Sequence, residues 1–143
     1  MRRLRKFLRL RFADKLYLIS CTAHLAAIAT SLRVFGYNRV SAFLTGRLAR
    51  QRAPLPAARI IWGVRTSAQV LRPAKCLAQA VTLHFLLARA GHVSVIRVGV
   101  ARDSEMAFDA HAWVVFNGGI VIGEIGATQR GYTPLTDLQL GEP

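Results

Sequence analysis

The chain has 143 residues, the usual size of one domain and too short to hold a second catalytic module beside the first. Apolar residues make up 52% and charged residues 19%, which excludes a disordered chain and is enough to build a core without disulfides or metals. Twenty Lys and Arg against seven Asp and Glu leave a net charge of +13, which points to acidic partners, and two cysteines are too few for a disulfide framework or a four-cysteine zinc site.

The N-terminus carries Arg2, Arg3, Arg5, Lys6, Arg9 and Arg11 ahead of Leu16 to Leu32, seventeen residues without formal charge. That order mimics a signal peptide, and Leu18-Ile19-Ser20-Cys21 resembles a lipoprotein cleavage box. Asp14 and Lys15 interrupt it, leaving five residues before Cys21 where an export signal needs about 7–15. The uncharged run is shorter than the roughly 18 apolar residues of a spanning helix and includes Ser20, His24 and Ser31. The expectation is a cytoplasmic chain in a reducing compartment, whose basic N-terminal helix can lie on the inner membrane surface or on a partner.

The first half reads as helical. Met1 to Phe12 places Leu4, Phe7, Leu8 and Phe12 on one side of a basic helix. Asp14 is a fair N-cap for a helix to about Val34, which Gly36 ends. Val40 to Arg50 predicts a short amphipathic helix, Pro54 and Pro56 break the chain, and Ala57 to Leu71 is helical again. Pro73 opens a helix that runs to Ala90 and stops at Gly91. It is apolar nearly all round, as a helix at the centre of a fold is. After Gly91 the period switches to two. Val93 to Val100 and Ala112 to Phe116 predict strands, joined by a polar connection over Ala101 to Asp109. Asn117-Gly118-Gly119 is a hairpin turn signal, Ile120 to Ile122 the returning strand, and Tyr132 to Leu138 a last short strand or turn. Helices followed by a small antiparallel sheet define an α+β domain. The division expected is a basic helical extension over 1–56 and a core over 57–143, within one domain.

Cys76 falls in the first turn of the central helix, where unpaired N–H groups and the positive helix end favour a thiolate. The plainer reading is a small buried hydrophobe. His111 begins a strand and can face a cleft, or be held by backbone. A two-residue Asn117-Gly118 turn sets Phe116 against Gly119 and His111 against Glu124, close enough for a carboxylate to orient the imidazole. A three-residue turn would instead bring Ile125 there, a Gly118-Gly119 turn Gly126, and Asp109 is the second candidate carboxylate. Gln79 shares the helix face of Cys76 and could line a cleft. His84 lies about 12 Å along the helix from Cys76, too far for a proton relay. His24 reads as a core or interface residue, His92 as a surface residue and Cys21 as packing. No phosphate loop or metal-ligand spacing is present, so neither metal nor cofactor is expected.

Cysteine on a buried helix, then histidine and a carboxylate on successive strands, is the order of a papain-like or transglutaminase-like site. Over Ala58 to Pro134 the chain resembles the peptidases that remove leaders from lasso peptide precursors. The matching pieces are Cys76-Leu77-Ala78-Gln79-Ala80, Leu86-Leu87-Ala88-Arg89-Ala90-Gly91, Arg97-Val98-Gly99-Val100 and His111-Ala112-Trp113-Val114, in matching order and spacing. The resemblance implies a transglutaminase-like fold and a cysteine endopeptidase with Cys76 as nucleophile and His111 as general base. Many relatives carry Asp about where Gly123 falls, so Glu124 is the implied third member; Val115 stands where a glutamate commonly follows. Gln79 and Trp113 are the implied substrate-lining residues. The implied partners are the precursor's leader, a separate leader-recognition protein and an ATP-dependent cyclase that closes the ring afterwards. Other readings are a non-catalytic binding module of the same fold and an acyl-transferring transglutaminase using the same residues. A nucleic-acid binder has only the charge in its favour, without a recognised motif or interleaved aromatics, and no nucleic acid is expected.

Overall fold

The computed structural model describes residues 10–48, 54–71, 75–102, 108–123 and 132–140. Helix α1 spans Phe12–Leu48 and changes direction at Gly36, whose φ of 75° and ψ of 171° interrupt the helical path. The break falls where the glycine predicted it. The helix resumes at once, however, so Tyr37 and Asn38 are helical, and the two helices expected on either side of Gly36 form one bent element. Asp14 is not an N-cap: α1 starts two residues earlier, and the Asp14 carboxylate accepts a hydrogen bond from Arg59 at 2.8 Å. That pair ties α1 to helix α2, Ala57–Val70. The basic helix expected before residue 10 lies outside the described residues.

Helix α3 spans Cys76–Arg89 and is the buried centre, with Ala80, Val81, Leu83 and Leu87 fully covered. Its end is a Schellman turn. Gly91 takes a φ of 84°, its N–H bonds the Ala88 carbonyl, and the His92 N–H bonds the Leu87 carbonyl. Core residues Ile28, Val40 and Leu44 of α1 join Ile60 and Val64 of α2 in the same cluster.

Four strands follow: β1 Val95–Arg102, β2 Phe108–Phe116, β3 Gly119–Ile122 and β4 Thr133–Leu138. They form an antiparallel sheet in the order β3-β2-β1-β4. Strand β1 is shifted two residues toward the C-terminus of the predicted run and β2 starts four residues earlier than predicted, so the two take in both ends of the expected polar connection. Sheet pairing outweighs the polar side chains there, because a ladder accepts polar residues wherever one face is wet. His111 consequently lies inside β2, paired with Gly99, and does not begin the strand.

The hairpin turn is Asn117-Gly118, with φ of 49° and 78°, and Phe116 pairs with Gly119 as counted. One pair further on the register slips. Val115 faces Ile120 but Val114 faces Ile122, so the straight count that set His111 opposite Glu124 is interrupted by a bulge. Glu124 itself lies outside the described residues.

Helices cover one face of the sheet. Ile96, Ala112, Val114 and Ile122 point into the core shared with α3. An 18-residue window in α1 is long and apolar enough to cross a membrane by length and composition, more so than the uncharged run alone suggested. Leu18, Cys21, Leu25 and Ile28 of α1 are buried in the fold, while Phe12, Leu16 and Ile19 are more than half exposed.

Candidate active site

Helix α3 packs against strand β2. The turn after α3 brings His92 edge-on to Phe116 at the far end of β2, with ring centroids 5.9 Å apart. From there the helix runs back about 20 Å to Cys76, and β2 runs back about 17 Å to His111. Cys76 thus opens α3, and His111 lies five residues before the end of β2.

Cys76 is the first residue of α3, half-buried, with its thiol free. The cap residue Lys75 makes no side-chain capping bond. The first bond of the helix runs from the Gln79 N–H to the Lys75 carbonyl at 3.2 Å. The N–H groups of Cys76, Leu77 and Ala78 thus precede the intrahelical ladder and point out of the helix start, beside the thiol. Gln79 stands one turn beyond Cys76 and is half-buried.

His111 is held from two sides. Its Nε2 lies 3.0 Å from the Gly123 carbonyl. A carbonyl only accepts, so Nε2 carries the proton and the neutral ring keeps its lone pair on Nδ1. The imidazole also stacks on Trp113 at 6.1 Å and 25°, and lies tilted against Tyr132 at 5.3 Å and 34°. Trp113 is buried, and the reason is local: Gly99 lies beneath its ring, where a β-carbon would come within 2.7 Å of Cη2. Gly123 has the same character on the other side. Its φ is 83°, and a β-carbon there would meet Trp113 Cβ at 2.8 Å and the Ala112 carbonyl at 2.9 Å.

Among the described residues no hydrogen bond joins Cys76 to His111. Asp109 lies in β2 opposite Ala101. No group of three His, Cys, Asp or Glu side chains among the described residues is placed to hold a metal. His84 is buried elsewhere in the core: it accepts from the Leu140 N–H at 3.3 Å and meets Ser94 Oγ at 2.8 Å. Burial pushes its pKa down. Cys21 is buried against Gly63 and Tyr17, and burial pushes its thiol pKa up. His92 is at the surface and bonds the Leu55 carbonyl at 2.7 Å, and His24 bonds the Ser20 carbonyl one turn back at 2.7 Å.

The orienting groups on His111 are ones that residue counting does not reach. A backbone carbonyl has no sequence signature. Tyr132 arrives from a segment after β3 that no local pattern ties to β2. The only hint was Gly123 itself, a glycine ending a β-branched run.

Residues 22–137 match the model of the transglutaminase-like superfamily. No curated protein and no solved structure gives a significant match. The chain belongs to the transglutaminase-like superfamily, whose members are typically enzymes built on a cysteine and a histidine.

Proposed function

We propose that the chain is a cysteine endopeptidase that removes the leader from a lasso peptide precursor before a separate cyclase closes the ring. The observation that carries the chemistry is the His111–Gly123 hydrogen bond. It fixes Nε2 as the protonated nitrogen and leaves Nδ1 to act as base. In the reaction Nδ1 takes the thiol proton of Cys76, and Sγ attacks the scissile carbonyl. The Cys76 N–H, exposed at the helix start, is a donor for the oxyanion. Collapse of the tetrahedral species breaks the C–N bond, and His111 returns the proton to the departing core amine. Water then hydrolyses the thioester. An amine in place of that water would give transpeptidation from the same thioester, and a glutamine side chain as the acyl donor would give a transglutaminase. The Gly123 carbonyl supplies orientation that a third side chain would otherwise give, with Glu124 the first and Asp109 the second carboxylate to assist.

The substrate assignment rests on the four sequence pieces that resemble lasso leader peptidases. Gln79 and Trp113 are the proposed cleft residues. The partners proposed are the precursor's leader, a leader-recognition protein and the cyclase, in the cytoplasm, with the basic N-terminus able to touch the inner membrane surface.

The test is mass spectrometry of a lasso peptide precursor incubated with the protein and a leader-binding protein. One cut at the leader–core junction is expected, and Cys76→Ala should abolish it without loss of fold. Normal cleavage by Cys76→Ala would remove the nucleophile assignment. A second reading is a non-catalytic module of the same fold, favoured by the absence of a Cys76–His111 hydrogen bond among the described residues. Binding of the precursor without any cut would select it.

A further inference from the structure

The bend at Gly36 creates a groove that the cysteine–histidine chemistry does not use. The two arms of α1 diverge from this glycine, and the C-terminal end of α3 forms the floor between them. The cleft encloses about 750 Å³. Its apolar lining comes from both arms and the floor: Ile28 and Phe35, Val40, Phe43 and Leu44, and Phe85. Phe35 and Phe43 are 55% and 60% exposed, unusual for side chains of that size facing one cleft. Three guanidinium groups are set among these rings, those of Arg39, Arg47 and Arg89, and no carboxylate belongs to the lining. Arg47 lies over the Phe43 ring at 4.8 Å and Arg89 over the Phe85 ring at 5.4 Å.

We infer that this groove docks an acidic peptide segment whose carboxylates alternate with large apolar side chains. Each part of the lining matches such a ligand. Phe and Leu side chains enter the cleft between the arms, and planar guanidiniums along its edges take carboxylates in two-pronged hydrogen bonds. The concavity favours a peptide over a bilayer, because inserted side chains can fill a cleft that a flat headgroup layer spans. The chain's own N-terminal segment is no candidate, since Arg2, Arg3, Arg5, Lys6 and Arg9 would meet like charge.

The groove is remote from the nucleophile. Arg89 and Cys76 lie at opposite ends of α3, about 20 Å apart, a span that about six extended residues cover. A substrate held here by one segment would present a bond several residues away to Cys76. That exosite role rests on the peptidase reading; the ligand chemistry of the groove does not.

The test is fluorescence anisotropy with a labelled synthetic peptide alternating leucine and glutamate. Arg39→Glu/Arg47→Glu should weaken binding about tenfold or more. Arg11→Glu/Arg65→Glu, with the same net charge and both positions exposed outside the groove, should change it less than about twofold. Phe43→Ala, at an exposed position that the fold does not need, should also weaken binding, and Cys76→Ala should bind as the unaltered protein does. Equal losses in the two double variants, no binding by the unaltered protein, or groove-dependent binding to phosphatidylglycerol vesicles in preference to the peptide would each overturn the proposal. Probe binding that depends on the groove, with no cleavage of the precursor, would leave the groove standing and remove the peptidase reading. Cleavage unaffected by the Arg39 and Arg47 reversals would remove the exosite role and leave the peptidase reading standing.

Discussion

Gly123 bears on the candidate site more than its size suggests. Its carbonyl fixes which nitrogen of His111 carries the proton, and its positive φ aims that carbonyl at the ring. Gly123→Ala forces a β-carbon against Trp113 and the Ala112 carbonyl. The displaced carbonyl should lower cleavage by about 100-fold while the helices remain folded. Steady-state cleavage beside circular dichroism checks this, and an unchanged rate would show that the carbonyl has no part in orienting His111. His84 makes a separate prediction. Burial lowers its pKa from the ordinary 6.5, so the folded protein keeps the ring neutral while the unfolded chain takes up a proton. Where the unfolded state binds more protons, stability falls as pH falls. Urea midpoints should therefore drop between about pH 7.5 and 5.5, and His84→Gln should flatten that part of the profile. Equal slopes for the two proteins would assign the effect to other groups. Both residues were visible in the sequence as residue types only. Nothing local said that His84 would bridge Ser94 and Leu140, because those partners come from different segments.

Elements were more legible than residues. Helices α2 and α3 and the hairpin fall close to where periodicity, Pro56, Gly91 and Asn117-Gly118 placed them, while α1 joins through Gly36 two helices expected apart. Those signals are local: a glycine that must take positive φ, or a proline that cannot continue a helix, acts wherever the chain goes. The misses were tertiary. Asp14 is drawn to Arg59 instead of capping α1, pairing carries β1 and β2 into the expected polar connection, and a bulge near Val121 slips the count toward Glu124. Gly36 makes the prediction at this scale. Its φ and ψ are a combination open essentially to glycine alone, so Gly36→Ala should cost about 1–3 kcal/mol or straighten α1. Thermal unfolding with circular dichroism measures it, and an unchanged midpoint with unchanged helix content would show that the bend needs no glycine.

The whole molecule carries +13. Like charges repel more in the compact chain than in the expanded one, and salt screens that repulsion within about 8–10 Å at moderate ionic strength. The melting temperature should accordingly rise as sodium chloride is added at neutral pH. A fall would mean that attractive pairs such as Arg59–Asp14 and Arg97–Asp137 outweigh the net repulsion. The same surplus of basic groups gives the molecule its reach for acidic partners, and the groove at Gly36 is where three of them stand among aromatic rings.

By itself the sequence determined the helix-then-sheet order, the buried central helix, the turn residues, and the positions of Cys76 at a helix start and His111 in the strand that follows. These depend on spacing and on residue types whose backbone limits are intrinsic. Only the tertiary structure decided what holds the His111 ring, how far the strand register runs, and that the two arms of α1 enclose a cleft. Each depends on segments distant in the chain meeting at ångström precision: a carbonyl after β3, a tyrosine before β4, the far end of α3. Periodicity carries no information about such meetings, because packing chooses them after the elements have formed.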